Sequence, residues 1–200
     1  SGIIFEKGIF ILFGTTGSTY IPRILTSTDG ITWTSRTTGL TGTDELLSIA
    51  YGANLFIVTV TVSADGSKVI LKSTNGTTWT KMTFPFQSSG YLYKCAFINN
   101  TFVVITSTYY VFTSTDGINW TQHTTNYPSV YPSILTVNNL LYLNVNKNSV
   151  RTIYVSTNGL DWSILPTSFT TQRINSITYG NGLYVATSND EIATSTSGIS

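Results

Sequence analysis

The segment at positions 27–33 reads STDGITW, and close copies of it occur along the whole chain. The copies are STNGTTW from Ser73, STDGINW from Ser114 and STNGLDW from Ser156, and a shorter STSGIS begins at Ser195. Successive copies start about forty residues apart, a spacing typical of architectures in which one supersecondary unit is repeated. The segment therefore predicts a fold made of five related units.

A β-hairpin is predicted before each copy of the motif. Apolar residues alternate in stretches such as IIFEKGIFILF at 3–13 and SITYGNGLYVAT at 176–187, and a short turn divides each stretch. A third strand, such as KVILKS at 68–73, leads into the motif, and a fourth, such as TTWTKMT at 77–83, follows it. The turns contain residues that tolerate positive φ, as tight hairpins require: Gly8, Ala53, Asn54, Asn99, Asn100, Asn138, Asn139, Asn181 and Gly182. No stretch has helical periodicity.

Four short antiparallel strands per repeat are typical of a β-propeller blade. The sequence therefore predicts an all-β fold, a single β-propeller domain over 1–200 with five blades of four antiparallel strands, the last blade lacking its fourth strand. The predicted repeats are approximately 1–45, 46–91, 92–131, 132–172 and 173–200. We expect a closed five-bladed ring excised from a longer polypeptide. The alternative is an open fragment that exposes the apolar faces of blades one and five and associates through them.

The motif residues are predicted to stabilise the turn itself. Ser27 and Asp29 can hydrogen-bond backbone groups, Gly30 allows a conformation that a Cβ would hinder, and Trp33 can pack between neighbouring blades. The same roles fall to Ser73, Asn75, Gly76, Trp79, Ser114, Asp116, Gly117, Trp120, Ser156, Asn158, Gly159 and Trp162. The alternative is that the Asp and Asn side chains bind a ligand or Ca²⁺. Asn replaces Asp in two copies, which disfavours a cation site, so no metal and no cofactor are expected.

The motif S-T-[DN]-G-x-x-W resembles the Asp-box, or BNR repeat, of sialidases, sortilin-type receptors and photosystem assembly factors, in a form one residue shorter. Together with the hairpin YGNGLYVA at 179–186, this short form is more similar to propeller-like repeats of bacterial surface proteins and of phage tail or fibre proteins. The resemblance implies a propeller located on a virion, outside the cell or at the cell surface. In Asp-box proteins the box lies away from the active face and occurs in enzymes and binding proteins alike.

Composition excludes several classes of partner. Only 10% of the residues are charged and the net charge is +1, so no basic surface for nucleic acid is indicated. No apolar run approaches the roughly 18 residues of a membrane span, so no membrane insertion is expected. Cys95 is the sole cysteine, and its context KCAF favours a buried, inert thiol.

Catalysis is not expected from the residue inventory. A glycosidase of sialidase type would need an arginine cluster, a Tyr activated by Glu and an acidic proton donor. Few candidates exist: Arg23, Arg36, Arg151, Arg173, Glu6, Glu45 and Glu191. His123 is the sole histidine, so no His/Cys metal cluster can form.

Candidate ligand-binding residues occur in the loops that join second to third strands and successive blades, on the face opposite the motif turns. The main candidates are Tyr20, Asp65, Gln87, Tyr91, Tyr109, Tyr127, Tyr131 and Arg173, with Asp44, Glu45, His123, Asn146 and Asp190 beside them. Aromatic rings and amide or carboxylate groups are a mixture that suits sugars. The Tyr-Pro pairs of NYPSVYPS at 126–133 could equally brace a loop.

These observations favour a non-catalytic binding or adhesion module that recognises a glycan or a host receptor. Its partner would be a glycan or a protein receptor, with other virion or surface subunits as further contacts. The alternative is a purely structural virion or assembly component, because low charge and abundant Ser, Thr and Asn suit it as well.

Overall fold

The structure is a computed structural model that describes residues 2–16, 21–62, 64–86, 90–108, 110–125, 133–147, 150–165, 174–189 and 191–199. Every regular element in these ranges is a β-strand. The strands are β1 Gly2–Glu6, β2 Ile9–Thr16, β3 Ile21–Ser27, β4 Thr34–Arg36, β5 Glu45–Gly52, β6 Leu55–Thr61, β7 Lys68–Ser73, β8 Thr80–Thr83, β9 Leu92–Ile98, β10 Thr101–Thr106, β11 Tyr110–Ser114, β12 Thr121–Thr124, β13 Ser133–Val137, β14 Leu140–Lys147, β15 Val150–Ser156, β16 Ser163–Ile164, β17 Ser176–Gly180, β18 Leu183–Thr187 and β19 Ile192–Ser195.

The strands form five antiparallel sheets in which sequence neighbours are spatial neighbours. Blade 1 is β1–β4, blade 2 is β5–β8, blade 3 is β9–β12, blade 4 is β13–β16, and blade 5 is the three-stranded sheet β17–β19. The predicted fold class is confirmed: the chain is an all-β propeller with five blades, of which the last has three strands in the described residues. No helix in the described ranges has the length and apolar character needed to span a bilayer.

Residue contacts divide the chain into two compact units. The first contains Ser1–Thr106 and Phe112–Thr121, and the second contains Ser107–Val111 and Gln122–Ser200. Blades 1 and 2 belong to the first unit, and blades 4 and 5 belong to the second.

The turn between the first two strands has the predicted conformation in all five blades. Both central residues have positive φ, from Lys7 at 54° and Gly8 at 74° to Asn181 at 49° and Gly182 at 76°. Turns of this hand match the right-handed twist of the flanking strands, which explains the preference for Asn and Gly at these positions. In blade 1 the turn closes directly onto the pair Glu6 and Ile9. The hairpins were therefore correctly predicted from the turn residues.

The core of the first unit lies between neighbouring blades. Strand β5 packs against β2 on one side and against β9 on the other. The side chains of Ile11, Phe56 and Val58 are fully buried in one cluster that joins blades 1 and 2. Burial of apolar surface on both faces of blade 2 stabilises the stack, at about 25 cal/mol per Å².

In the second unit, an asparagine fixes the entry to blade 5. The side chain of Asn144 on β14 donates a hydrogen bond from Nδ2 to the carbonyl of Ile174, 2.9 Å away. Its Oδ1 accepts a hydrogen bond from the backbone N–H of Ile174 at 3.0 Å. Both atoms of the Asn144 amide are thus paired although the residue is buried. Strand β17, which follows Ile174, packs against β13.

The motif turn of one blade packs on the hairpin of the preceding blade. A Cβ added at Gly76 in blade 2 would lie 2.8 Å from Ile11 Cδ1 in blade 1. A Cβ added at Gly117 in blade 3 would lie 2.6 Å from Leu55 Cδ2 in blade 2. Both glycines have positive φ, at 74° and 67°. Glycine is therefore required twice, for the backbone conformation and for the close approach of the neighbouring blade.

Candidate functional site

The polar side chains of the first motif form their hydrogen bonds inside the turn. Ser27 Oγ accepts the backbone N–H of Gly30 at 2.8 Å and donates to Asp29 Oδ1 at 2.8 Å. Asp29 Oδ1 in turn accepts the N–H groups of Ile31 at 2.8 Å and Thr32 at 2.7 Å. The turn-stabilising role expected of Ser27 and Asp29 is thus seen directly.

Asparagine forms the same bonds in the copies that lack the acid. Asn75 Oδ1 accepts the N–H groups of Thr77 and Thr78, each at 2.9 Å. Asp116 Oδ1 accepts the equivalent pair from Ile118 and Asn119, each at 2.8 Å. An oxygen acceptor at this position is sufficient, and a negative charge is not required.

The backbone bonds also fix the ionisation of the two motif aspartates. The N–H of Thr32, followed by that of Ile31, holds the pKa of the Asp29 carboxyl well below its usual range. For Asp116 the N–H groups of Asn119 and Ile118 lower the pKa in the same way. Both carboxylates are therefore charged throughout the neutral range, and the Oδ1 of each already accepts two backbone N–H groups.

The motif tryptophans differ in burial. Trp79, Trp120 and Trp162 are 8%, 8% and 5% exposed, as expected for rings held between blades. Trp33 is partly buried, so its ring is less enclosed than the other three. Its indole Nε1 still donates to the carbonyl of Gly30 at 3.3 Å. The ring is therefore oriented by its own turn, as are those of Trp79 and Trp162.

We call the side of a blade that carries its hairpin turn and its motif turn the turn face. A cleft of about 690 Å³ lies on the turn face of the first unit, between blades 2 and 3. The hairpin turn residues Ala53 and Asn54 line it together with motif residues of both blades, among them Asn75 and Asp116. Hairpin turns and motif turns therefore share one face, as predicted. Lys72 provides a further polar group there. Because the oxygens of Asn75 and Asp116 are engaged within their turns, this cleft offers a ligand few available acceptors.

The loop face is the opposite side, formed by the loops between second and third strands and between successive blades. In blade 2 it contains three of the predicted ligand residues. Asp44 is buried, and its carboxylate accepts the N–H of Thr41 at 3.2 Å. Glu45, the next residue, is exposed at the start of β5. Asp65 is exposed in the loop between β6 and β7, where the side chain and backbone N–H of Ser67 lower the pKa of its carboxyl. Asp44 is thus buried and structural, and Glu45 is exposed; Asp65 is exposed but its Oδ1 accepts the N–H of Ser67 at 2.8 Å.

Two further predicted residues are described beyond blade 2. Tyr91 precedes β9 and is 56% exposed, the largest exposed fraction among the exposed aromatic residues of the described chain, which are Phe5, Tyr91 and Tyr179. His123 is half-buried on β12. Asn146 pairs with Arg151 through the β14–β15 ladder, and its side chain lies outside the description. Also outside the described residues are Tyr20, Gln87, Tyr109, Tyr127, Tyr131, Arg173 and Asp190.

Sequence reasoning missed a polar row across blade 2 at the loop end. Glu45, Thr61 and Lys68 lie in register on the adjacent strands β5, β6 and β7. Lys68 is 7% exposed, and burial lowers the pKa of its ammonium group. The available signal was the lysine that opens the apolar run KVILKS directly after a polar loop. From the sequence alone, Lys68 was interpreted only as the first residue of a strand.

The groups that could act as nucleophile or metal ligand are dispersed in the described chain. Cys95 is a buried free thiol, as predicted, and burial raises the pKa of its Sγ to about 11. A thiol of that pKa is almost entirely protonated at neutral pH and is a poor nucleophile. Among the described residues, no three His, Cys, Asp or Glu side chains are grouped closely enough to hold a metal ion.

The chain resembles known proteins in its three-dimensional structure and not in its sequence. No protein-family model and no curated protein sequence matches the chain. Solved structures do match: YCF48 bound to D1 peptide is 14% identical with a TM-score of 0.70, covering 95% of this chain and 62% of that one. Streptogramin B lyase is 15% identical with a TM-score of 0.67, over 99% of this chain and 65% of the other. A nidogen/laminin complex is 13% identical with a TM-score of 0.64, over 96% and 75%.

At these identities the likeness concerns the fold alone. The chain spans less than two thirds of the YCF48 and streptogramin B lyase chains that it matches. Two of these three neighbours were solved with a bound peptide or in a complex between proteins, and the third is a lyase.

Proposed function

We propose that this chain is a non-catalytic binding module that recognises a receptor molecule through its loop face. The proposal rests on a difference between the two faces: polar atoms of the motif are hydrogen-bonded within their turns on one face, and several loop side chains are exposed on the other. On the turn face, Ser27 Oγ and Asp29 Oδ1, and the equivalent Ser73 Oγ and Asn75 Oδ1, form hydrogen bonds within their own turns. On the loop face, Glu45, Asp65 and Tyr91 are exposed. Residues that differ between the repeats are therefore the ones available to contact a ligand.

A protein receptor is the leading candidate. Two structurally similar propellers, YCF48 and the nidogen/laminin pair, were solved with a peptide or a protein partner. The net charge of +1 and the low charge content favour recognition by shape, aromatic rings and hydrogen bonds rather than by electrostatic attraction. An exposed Tyr such as Tyr91 is a residue type that is enriched at protein interfaces.

A glycan receptor is the second candidate. Tyr91 offers a ring face for the C–H surface of a sugar, and the exposed carboxylate of Glu45 is an acceptor for hydroxyl groups. Asp65 is also exposed, although its Oδ1 already accepts the N–H of Ser67 at 2.8 Å. The resemblance to repeats of phage tail or fibre proteins and bacterial surface proteins favours a location on a virion or at a cell surface. Either receptor would then be a component of another cell.

Absence of catalysis is part of this proposal, although one of the similar propellers is a lyase. The protonated state of the Cys95 thiol and the scattered placement of acidic side chains in the described chain support it. A purely structural role in a virion is the competing possibility. It differs from the proposal in requiring no receptor on intact cells.

The test compares variants of the two faces for binding to a panel of intact bacterial cells. Fluorescently labelled wild type, Y91A and D65A are compared with K72A, a control on the turn-face cleft. We expect Y91A and D65A to weaken binding at least tenfold with a Tm unchanged within about 2 °C, since both side chains are exposed. K72A should bind as wild type does.

Treatment of the cells distinguishes the two receptors. Loss of binding after proteinase K supports a protein receptor, and loss after periodate oxidation supports a glycan. Binding that is sensitive to K72A but not to Y91A or D65A would place recognition on the turn face and refute the proposal. No binding to any cell of the panel, nor to a glycan array, would leave the structural role as the correct one.

A further inference from the structure

A second cleft lies between the edge strands of blades 1 and 2, within the first unit, and we call it the edge cleft. Strand β4 and the residues that follow it form one wall, and the motif turn and strand β8 of blade 2 form the other. Its volume is about 630 Å³. Small-molecule sites typically have volumes of roughly 300–1,000 Å³, so the edge cleft is large enough for more than a single inorganic anion.

Two cationic side chains enter the edge cleft, one from each blade. Arg36 lies opposite Ile24 on the β3–β4 ladder. Lys81 lies opposite Leu71 on the β7–β8 ladder. Ile24 and Leu71 both belong to the buried cluster that joins the two blades, and opposite residues on a ladder share a face of the sheet. Arg36 and Lys81 therefore project from the faces that the two blades turn toward each other.

The charge of the edge cleft is unbalanced. No acidic residue is among those that line it in the described chain. Lys81 has an electrostatic interaction with Asp65, which after Ser67 is a minor cause of the lowered pKa of that carboxyl. This attraction is weak because Asp65 is fully exposed. Two like charges in one cleft repel each other, and an anion bound between them would remove that repulsion.

Arg36 is held in position by its own blade. Its Nε donates a 2.7 Å hydrogen bond to Oγ1 of Thr26, which is 1% exposed. The side chain is half-buried, and its two Nη atoms carry the remaining N–H donors. A planar guanidinium that is anchored at Nε can bind a carboxylate or a sulfate through two parallel hydrogen bonds. Lys81 is exposed, so its ammonium group can adjust to the same anion.

Hydroxyl groups form much of the remaining lining. Four of the hydroxyl-bearing residues are exposed, namely Ser35, Thr37, Thr78 and Thr80. A hydroxyl group both donates and accepts hydrogen bonds, as the hydroxyls of a sugar do. Trp79 also lines the edge cleft but is only 8% exposed, so stacking on its ring contributes little. The lining therefore suits a ligand that combines an anionic group with several hydroxyls.

The two cations are not part of the repeated pattern. The third residue after the motif tryptophan is Arg36 in blade 1, and in the next three blades it is Met82, His123 and Leu165. The second residue after it is Lys81 in blade 2, and in the other three blades it is Ser35, Gln122 and Ile164. The strand geometry common to these blades consequently does not require either charge. The pair distinguishes the junction of blades 1 and 2 from the other junctions.

We propose that the edge cleft binds an anionic saccharide, with Arg36 and Lys81 contacting its carboxylate or sulfate group and the Ser and Thr side chains contacting its hydroxyls. This site is separate from the loop face, and it does not depend on the receptor proposed above. The net charge of the chain is only +1, so attraction of an anion depends on these two local charges. Binding should weaken as salt is added, because salt screens exposed charges.

The test is an NMR titration of the ¹⁵N-labelled protein with three sugars: digalacturonate, galactose 6-sulfate and the neutral disaccharide galactobiose. We expect saturable shifts in the amides of residues 35–39 and 77–81 with at least one acidic sugar and none with galactobiose. A response to digalacturonate alone identifies the anionic group as a carboxylate. A response to galactose 6-sulfate alone identifies it as a sulfate.

Variants then assign the binding to the two cations. K81Q should weaken binding of the acidic sugar by about tenfold, because a hydrogen bond between charged groups is lost. R36Q should have at least the same effect, and K81R, which keeps the charge, should bind as the wild type does. K72Q is the matched control, since Lys72 lines the turn-face cleft instead. Y91A should also bind the sugar normally, which separates this site from the loop face.

Several outcomes would overturn the proposal. They are equal affinity for acidic and neutral sugars, no binding of either acidic sugar, and wild-type affinity of K81Q or R36Q. K81Q provides a decisive result even where R36Q unfolds, because Lys81 is exposed and its replacement should leave the Tm unchanged. Inorganic sulfate that binds as tightly as galactose 6-sulfate would also overturn the proposal, since the sugar hydroxyls would then contribute nothing.

Discussion

The motif turns of blades 1 and 2 have nearly the same internal geometry and very different surroundings. In both, the Ser Oγ accepts the glycine N–H at 2.8 Å. The centroids of Phe10 and Trp33 are 6.4 Å apart, and those of Phe56 and Trp79 are also 6.4 Å apart. Yet Phe56 and Trp79 are buried, whereas Phe10 and Trp33 are only partly so.

The comparison distinguishes interactions that form within one motif turn from the burial that the neighbouring blade adds. The hydrogen bonds and the ring arrangement are local, because they are the same in blade 1, where the glycine and the tryptophan are less buried than in blade 2. Burial is contributed by the preceding blade, as the contact of Gly76 with Ile11 shows. Substitutions at paired positions should therefore have different costs in the two blades, and the difference measures the contribution of the blade junction.

The largest difference is expected at the tryptophans. Trp79→Ala removes a buried ring and should lower the free energy of unfolding by about 3 to 5 kcal/mol. Trp33→Ala removes a partly exposed ring and should cost about half as much. Urea denaturation of both variants provides the measurement. Equal losses would mean that the junction adds nothing to the turn.

A smaller difference is expected at the motif glycines, which both have φ of 74°. Gly30→Ala places a Cβ in a left-handed conformation at a cost of about 1 to 2 kcal/mol. Gly76→Ala has that cost and also forces the Cβ against Ile11 Cδ1, 2.8 Å away. Overpacking of this kind typically adds about 1 to 3 kcal/mol. Thermal or urea unfolding of the two alanine variants measures the difference. Equal stability of the two variants would contradict the comparison.

These paired sites also explain which parts of the structure were predictable. The hairpins followed from local chemistry, because Asn and Gly at the turns such as Asn181 and Gly182 permit positive φ and the flanking residues alternate. The bonds of Ser27 and Asp29 followed for the same reason: donor and acceptor are separated by two or three residues.

The difference in burial between Trp33 and Trp79 could not be predicted, because the two copies of the motif are nearly alike in sequence. The candidate site was less predictable still. Asp44 and Asp65 look alike in a loop sequence, but only the structure distinguishes the buried acceptor from the exposed one. Lys68 was missed because its burial depends on packing at the loop end of a strand, which has no periodic signal.

The serines should show a more modest difference. Ser73→Ala leaves the N–H of the buried Gly76 without its acceptor, at a cost of about 1 to 3 kcal/mol. Ser27→Ala frees the N–H of Gly30, which is exposed and can bond water instead, so about 0.5 to 1 kcal/mol is expected. Unfolding in urea would distinguish the two. A Ser27→Ala variant that is destabilised more than Ser73→Ala would contradict the assignment of Gly30 to the surface.

The smallest effect concerns the charge that distinguishes the two turns, Asp29 in blade 1 and Asn75 in blade 2. The folded pKa of Asp29 is lowered by the N–H groups of Thr32 and Ile31. Its contribution is therefore present above the unfolded pKa of about 3.9 and is lost as the pH falls through the folded value. Asp29→Asn keeps the acceptor oxygen, as Asn75 does, and has no proton to gain.

The Tm of the wild type should therefore fall more steeply between pH 5 and pH 2 than that of D29N. The reciprocal variant N75D introduces a carboxylate against the N–H groups of Thr77 and Thr78 and should steepen the decline. Differential scanning calorimetry across this range makes the comparison, with the pH 7 scans as reference. Parallel Tm curves for the wild type, D29N and N75D would mean that the acceptor alone matters and that the charge on the first turn has no energetic role.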